Sequence, residues 1–475
     1  MKTKILILAV FIQSFVFAQQ PIQFSPFKSL SNTNNFDMYS VAIERNDVLP
    51  KFYTHVLLYN NNETNYMLCY NQSRSVIDYI NMDTWEYAGN IDLKSLNGYN
   101  LDETISSFNI QNDKLLIMQE DYLYVIQLNG LRSELLNKYV INDEKQAFYK
   151  NHTLLGDINF KPILNEDGSV YLMSSRYDVM VNDPEYYKGN NEVRLFLNDK
   201  KLRTEFVPIT YPENYRNGYY GYYFLPKREV NNNNMHIYSY TMSPEIKIWN
   251  PESNEATDVI VRSAYHKMDA TPLDPAAIKD NALLMKFTIE APVYTSLKYD
   301  SYRDIYYRFF RPEIKEGEDC NTCTYKNKPL VIMILDNGFN IIDELYMATS
   351  IYEEQTSFVG PEGLYLSCAN INNPDFGNNY ISYDILKVNT PKKAEANTDS
   401  NLKLIASNEE GFYISGALND ASNAVVTIFD LSGRIVYRDI YYENKIISLP
   451  QIAKGIYMIQ IANNNDRVVL KWIKN

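Results

Sequence analysis

Basic residues are short relative to acidic ones: 45 Lys+Arg stand against 58 Asp+Glu, a balance of −13 over 475 residues. Such a chain lacks the electrostatic footprint that grips a phosphate backbone, so no nucleic acid is expected as a partner. Histidine is scarcer still. His55, His152, His236 and His266 are the only four, and no two stand at metal-ligand spacing. No HExxH, GxSxG or phosphate-loop motif occurs. Residue patterns therefore point to no metal, no cofactor and no catalytic constellation. Two of the 58 carboxylates meeting in a cleft would allow glycoside hydrolysis, but linear spacing does not pair them. Glycine is also sparse, at 17. Beyond the N-terminus no segment is apolar enough to span a bilayer, so the mature chain has no expected transmembrane segment.

Tyrosine is abundant, with 41 copies. Its ring packs on a half-buried pleated surface while its hydroxyl stays wet. With 45% hydrophobic and 22% charged residues, the chain can bury a core. Together these favour an all-β protein.

The N-terminus pairs Lys2 and Lys4 with a short apolar run, Ile5–Phe17, and small residues at Val16 and Ala18. That is the pattern of a secretory signal peptide over 1–18, cleaved between Ala18 and Gln19. No cysteine follows the cleavage site, so nothing suggests a lipid anchor there.

Strand-like segments recur in clusters of four along 19–388. The first holds His55–Asn60, Tyr66–Tyr70, Val76–Asn81 and Trp85–Leu93, and the second runs from Ser106 to Ile141. Later clusters span Asn159–Ile209, Tyr222–Arg262 and Val293–Met347. The sixth, Thr356–Val388, is a strand short, while Phe36–Ala42 is strand-like and alone. Pairing the two closes a ring and removes an exposed sheet edge. The expectation is a six-bladed β-propeller, with two stacked sandwiches as the competing fold and five or seven blades as variants.

A polar linker at 389–400 precedes a small β-sandwich at 401–475. There, VVTIFDLSGRIVY (Val425–Tyr437), ISLPQIAKGIYMIQI (Ile447–Ile461) and RVVLKWIKN (Arg467–Asn475) resemble, in order, the type A C-terminal sorting domain of the Bacteroidota type IX secretion system. The Pro-Asn-Pro element that often opens the family is replaced by Ala406-Ser407-Asn408-Glu409. The resemblance implies recognition by the type IX machinery at the outer membrane and removal of the domain during export. The remainder would be released or held at the cell surface. A second resemblance rests on YDSYRDIYYRFFRPE (Tyr299–Glu313), PLVIMILDNGFNIIDELYM (Pro329–Met347) and FVGPEGLYLSCANINNPDFGNNYISYDILKV (Phe358–Val388). These are similar to exported Bacteroidota propellers of TolB-like shape that form a domain-of-unknown-function family. That likeness implies the fold and no activity.

Three side-chain groups are chemical candidates. Tyr220, Tyr222 and Tyr223 flank Gly221, and Tyr302 with Arg303 enters the fifth cluster. Aromatic faces with neighbouring Arg stack on glycans or protein surfaces. Tyrosine is spread through every cluster, however, which favours packing between blades over a dedicated binding surface. Cys320 and Cys323 form a CxxC in a polar loop, where an oxidising exterior favours a local disulfide over free thiols, or over one end of a zinc site for which no second CxxC or nearby His exists. Cys69 and Cys368 occupy comparable apolar strands, as small buried hydrophobes or as a bridge between the first and last blades. The functional expectation is a secreted or surface propeller that binds a glycan or protein. A carbohydrate-active enzyme using channel carboxylates and a structural or adhesive protein are the alternatives.

Overall fold

The computed structural model describes residues 28–29, most of 36–388, and the strands with adjoining residues in 403–474. Within 36–388 it omits the short segments 62–63, 97, 100–103, 131, 143–150, 198–202, 316–322, 326–327 and 348–350. The signal-peptide cleavage pair Ala18 and Gln19, the linker 389–400 and Cys320 lie outside the described residues. The chain divides into two compact units at Val388/Asn389.

The first unit is a ring of six antiparallel sheets. Blade 1 is Val56–Asn61, Thr64–Asn71, Val76–Asn81 and Glu86–Asp92. Blade 2 is Ser107–Gln111, Lys114–Met118, Tyr122–Asn129 and Arg132–Val140. In blade 3 both His152–Leu155 and Ile163–Leu164 pair with Ser169–Arg176, followed by Glu192–Phe196 and Arg203–Phe206. Blade 4 is Pro226–Val230, His236–Tyr240, Glu245–Asn250 and Glu255–Ile260. Blade 5 is Val293–Asp300, Ile305–Arg311, Leu330–Leu335 and Ile341–Met347, with Lys28–Ser29 on its outer edge. Blade 6 takes Glu353–Gly360, Gly363–Ser367 and Tyr380–Val388 from the end of the unit and Phe36–Glu44 from its start.

The closing strand runs in unbroken register from Phe36 opposite Val388 to Glu44 opposite Tyr380. Asp384 reinforces it by accepting from Ser40 Oγ at 2.5 Å and from Tyr352 Oη at 2.7 Å. The six-bladed reading and its N-terminal closure therefore hold. Middle strands such as LVIMIL (Leu330–Leu335) are buried on both faces, whereas outer strands such as EATDVI (Glu255–Ile260) are mostly exposed. This gradient is why the clusters read as apolar runs flanked by polar strands. Turns follow local chemistry. Gly168 (φ +79°) closes the hairpin in which Asn165 and Ser169 pair.

The seams between blades differ around the ring. Those joining blades 6, 1, 2 and 3 are chiefly aliphatic and aromatic; Ile43, Met67, Cys69, Ile80 and Tyr383 meet at the closure. The other three each bury a guanidinium. Arg228 of blade 4 pairs with Glu192 of blade 3, whose other oxygen faces His236 and Tyr238. Arg308 of blade 5 donates to Ser239 Oγ and to the carbonyls of Ser243, Pro244 and Val261 at 2.8–3.1 Å. Arg311 forks onto Glu354 of blade 6 at 2.6 and 3.1 Å.

The longest departure from the strand pattern among the described residues lies between blades 4 and 5. The connection there forms a helix, Asn281–Glu290, capped by Asp280. It packs Leu284 and Phe287 against the Tyr219–Phe224 loop. The helix leaves Leu283 and Met285 exposed, so its apolar residues mark no single buried face.

The second unit is a two-sheet sandwich. Lys403–Asn408, Gly411–Ser415 and Ile446–Ser448 form one sheet. Val425–Asp430, Ile435–Ile440, Gly455–Ala462 and Arg467–Lys474 form the other. Val426, Ile428, Ile447, Leu449, Ile459, Ile461 and Trp472 fill its core.

Candidate functional site

The tyrosine candidates do not form one surface. Tyr220 is 5% exposed, with its ring 5.3 Å from Tyr215 inside a cluster that includes Tyr186, Tyr187, Tyr211 and Tyr240. Tyr223 donates its hydroxyl to Thr288 O at 2.7 Å. Tyr222 between them is half exposed. Tyr302 is also half exposed, and Arg303 is held by Asp300 (3.0 Å) and Pro361 O (2.8 Å). Thr288 precedes the strand Val293–Asp300 and Tyr302 follows it, so a strand length of roughly 25 Å separates the two groups. Tyr220 and Tyr223 thus do packing work, and Tyr222 and Tyr302 are single exposed rings.

The cysteines separate into two kinds. Cys323 is disulfide-bonded. Cys69 and Cys368 are free and buried, in the cores flanking blade 6. Burial pushes both thiols well above their usual range, so neither is a reactive thiolate. The four histidines are likewise packing residues. Burial lowers the affinity of each for a proton, most visibly at His236, enclosed beside Glu192. Burial opposes ionisation of Glu192 too, yet Arg228 and His236 outweigh it and hold the carboxyl below its usual value. Among the described residues no group of three His, Cys, Asp or Glu side chains is arranged to hold a metal.

The most distinctive chemistry lies on the ring axis. The inner edge of each blade borders the channel, through its first strand in five blades and through Lys161, just before Ile163–Leu164, in blade 3. Leu58, Asn109, Lys161, Glu229, Lys298 and Phe358, one from each of the six blades, border a cavity of about 180 Å³. An adjoining cavity of about 250 Å³ shares Asn109, Lys161 and Glu229 and reaches Gln111, Arg228 and Asn234. Lys298 is 5% exposed. Among the described residues neither it, Lys161 nor Glu229 makes a side-chain hydrogen bond or ion pair. Lys227, one pleat away on blade 4, instead donates to Thr241 Oγ1 at 2.5 Å.

Burial lowers the Lys298 ammonium to about 8, and the charge of Lys161 adds to that fall; Glu229, Asp157 and Glu354 act against it. Lys227 is lowered to about 8 chiefly by burial, with Arg308 adding to the effect. Glu229 is the one carboxylate among the described residues bordering these cavities. A two-carboxylate hydrolytic pair is therefore absent from that lining. Sequence reading passed over these positions. PKREV (Pro226–Val230) looks like a loop, with a proline and three charges, yet it is an inner strand. The usable signal was a lysine inside a buried strand, VYTSLKYD (Val293–Asp300).

These features define a class: an exported six-bladed propeller with a charged axial channel, joined in sequence to a sorting sandwich. The chain belongs to the DUF4221 family, a domain of unknown function whose model matches residues 30–346. Residues 408–475 match the secretion-system C-terminal sorting domain. A solved DUF4221 member from Bacteroides vulgatus is 18% identical, with a TM-score of 0.61, over 74% of this chain and 98% of that one. A Bacteroides fragilis protein described as exported is 10% identical, with a TM-score of 0.46, over 74% of this chain and 96% of the other. No curated protein matches the chain. The sorting domain directs the protein through type IX secretion to the cell surface or beyond. Among the described residues no helix is long and apolar enough to cross a membrane.

Proposed function

We propose that the exported propeller is a ligand-binding protein whose site is the axial channel. The supporting observation is the set of three charged side chains, Lys161, Glu229 and Lys298, that face a cavity without partners. A buried ammonium that no side chain bonds directly is costly, even with Glu229 across the cavity. A rigid ring that holds one in a cavity is pre-organised to receive a group that satisfies it. On this reading the signal peptide is removed after Ala18, and the segment 401–475 serves export and is cleaved from the propeller at 389–400. The Cys320–Cys323 pair is a local disulfide pinning the loop before Leu330–Leu335.

The test is a thermal-shift screen of the purified chain against sugars, organic acids, amino acids and peptides, with turnover assayed in parallel. A matched chain carrying Leu58→Trp fills the channel with an indole. A compound that stabilises the parent chain and leaves the Leu58→Trp chain unmoved carries the proposal. Stabilisation that survives the channel block, or none across the panel, overturns it in favour of a surface-adhesive role.

A further inference from the structure

We infer that the channel takes a small hydroxylated monocarboxylate of the sugar-acid type, its carboxylate held between Lys298 and Lys161 and its hydroxyls by Glu229 and Asn109. The inference rests on the channel being the ligand site and adds the chemical class.

Size comes first. The cavity bordered by Lys298 is about 180 Å³, and with its adjoining 250 Å³ neighbour the space reaches only the lower part of the ~300–1,000 Å³ typical of drug-sized sites, which favours a monosaccharide-sized occupant over a peptide or an oligosaccharide. Charge comes second. Two ammonium groups face one carboxylate on the lining, so the site carries about one net positive charge when Lys298 is protonated. Other nearby charges are already engaged. Glu354 is forked by Arg311 and Arg228 is paired with Glu192, while the charges of Asp157 and Lys227, each bonded only to a neutral group, act on one another and offset. A monoanion balances the remainder. A dianion such as phosphate would meet repulsion from Glu229 with no third free cation on the lining to offset it.

Polarity comes third. Glu229 is acceptor-only when ionised, so it suits hydroxyl donors on the ligand. Asn109 spends one amide N–H on Pro162 O at 2.8 Å and keeps its carbonyl oxygen for another donor. Leu57, Leu58, Ile110 and Phe358 supply the apolar part of the wall, matching the C–H face of a pyranose ring. Phe358 is fixed for this, lying 4.8 Å from Tyr365 in a near-parallel stack.

The experiment is calorimetric titration of the full chain at pH 7 with galacturonate, glucuronate and gluconate. Galactose, acetate and inorganic phosphate serve as comparison probes. Sugar acids are expected to bind, galactose and acetate far more weakly, and phosphate no better than acetate. Lys298→Met and Lys161→Met should each weaken sugar-acid binding by roughly tenfold to a hundredfold, the value of a charge-assisted hydrogen bond. Lys298→Arg should retain most of it, which separates lost charge from misfolding. Glu229→Gln should weaken sugar acids and improve phosphate. Galactose binding as tightly as galacturonate, or phosphate binding more tightly than every sugar acid, overturns the inference. So does the absence of binding by all three sugar acids. If a neutral compound still loses its effect in the Leu58→Trp chain, the channel reading survives that failure. If no compound senses the block, both fall together.

Discussion

Lys298 makes a stability prediction independent of any ligand. Folded, its ammonium titrates near 8 because burial, helped by Lys161, disfavours the charge; unfolded, it keeps its proton to about 10.4. Between these values the unfolded chain binds the extra proton, so stability rises with pH across that window and is lowest below it. Lys298→Met should therefore stabilise the chain at pH 7 by up to about 3 kcal/mol and gain less than the parent between pH 7 and pH 9.5. Urea denaturation at the two pH values reads both effects. Tyr220 and Tyr222 form a second contrast. Tyr220→Ala removes a buried ring and should cost about 3–5 kcal/mol. Tyr222→Ala should stay within about 0.5 kcal/mol. Neighbours in sequence, the two are alike in composition and opposite in environment, a difference set by the helix Asn281–Glu290 packing on one of them.

At the scale of strands and seams, the closing strand is the sensitive element. Consecutive residues in a strand send their N–H groups to opposite sides, so Val41→Pro with Ala42→Pro must remove at least one bond to Tyr380–Val388. The doubly substituted chain should melt at lower temperature and aggregate through the edge exposed at blade 6. Light scattering during a thermal ramp checks this. The seam between blades 3 and 4 behaves differently. Arg228→Met leaves Glu192 buried without its main partner and should cost about 3–5 kcal/mol. Changing Arg228 and Glu192 together to apolar residues should recover part of that loss. Gly363 is a local constraint of another kind. Its φ is +148°, and an added Cβ would meet Leu386 O at 2.2 Å, so Gly363→Ala distorts the centre of blade 6.

At the scale of the whole chain, folding and delivery are written in different stretches. Deleting 408–475 should leave a folded propeller that stops in the periplasm; cell fractionation with a blot for the propeller reads the outcome. Much of this organisation was legible from residue order. Asn165–Ser169 and similar turns punctuate the strands through local φ preferences and side-chain bonds. Alternation and apolar runs then mark each strand, and a count of them leaves Phe36–Glu44 as the piece that completes blade 6. Such signals span a few residues and need no knowledge of the distant chain. The channel is different. Asn109, Lys161, Glu229 and Lys298 come from four blades, and all but Lys298 look like ordinary surface residues in their own segments. Only the closed ring brings them to one cavity, burying Lys298 and partly covering the other three. Residue order determined the blades and the destination; register and closure decided which charges share a cavity, because burial and proximity belong to the assembled ring alone.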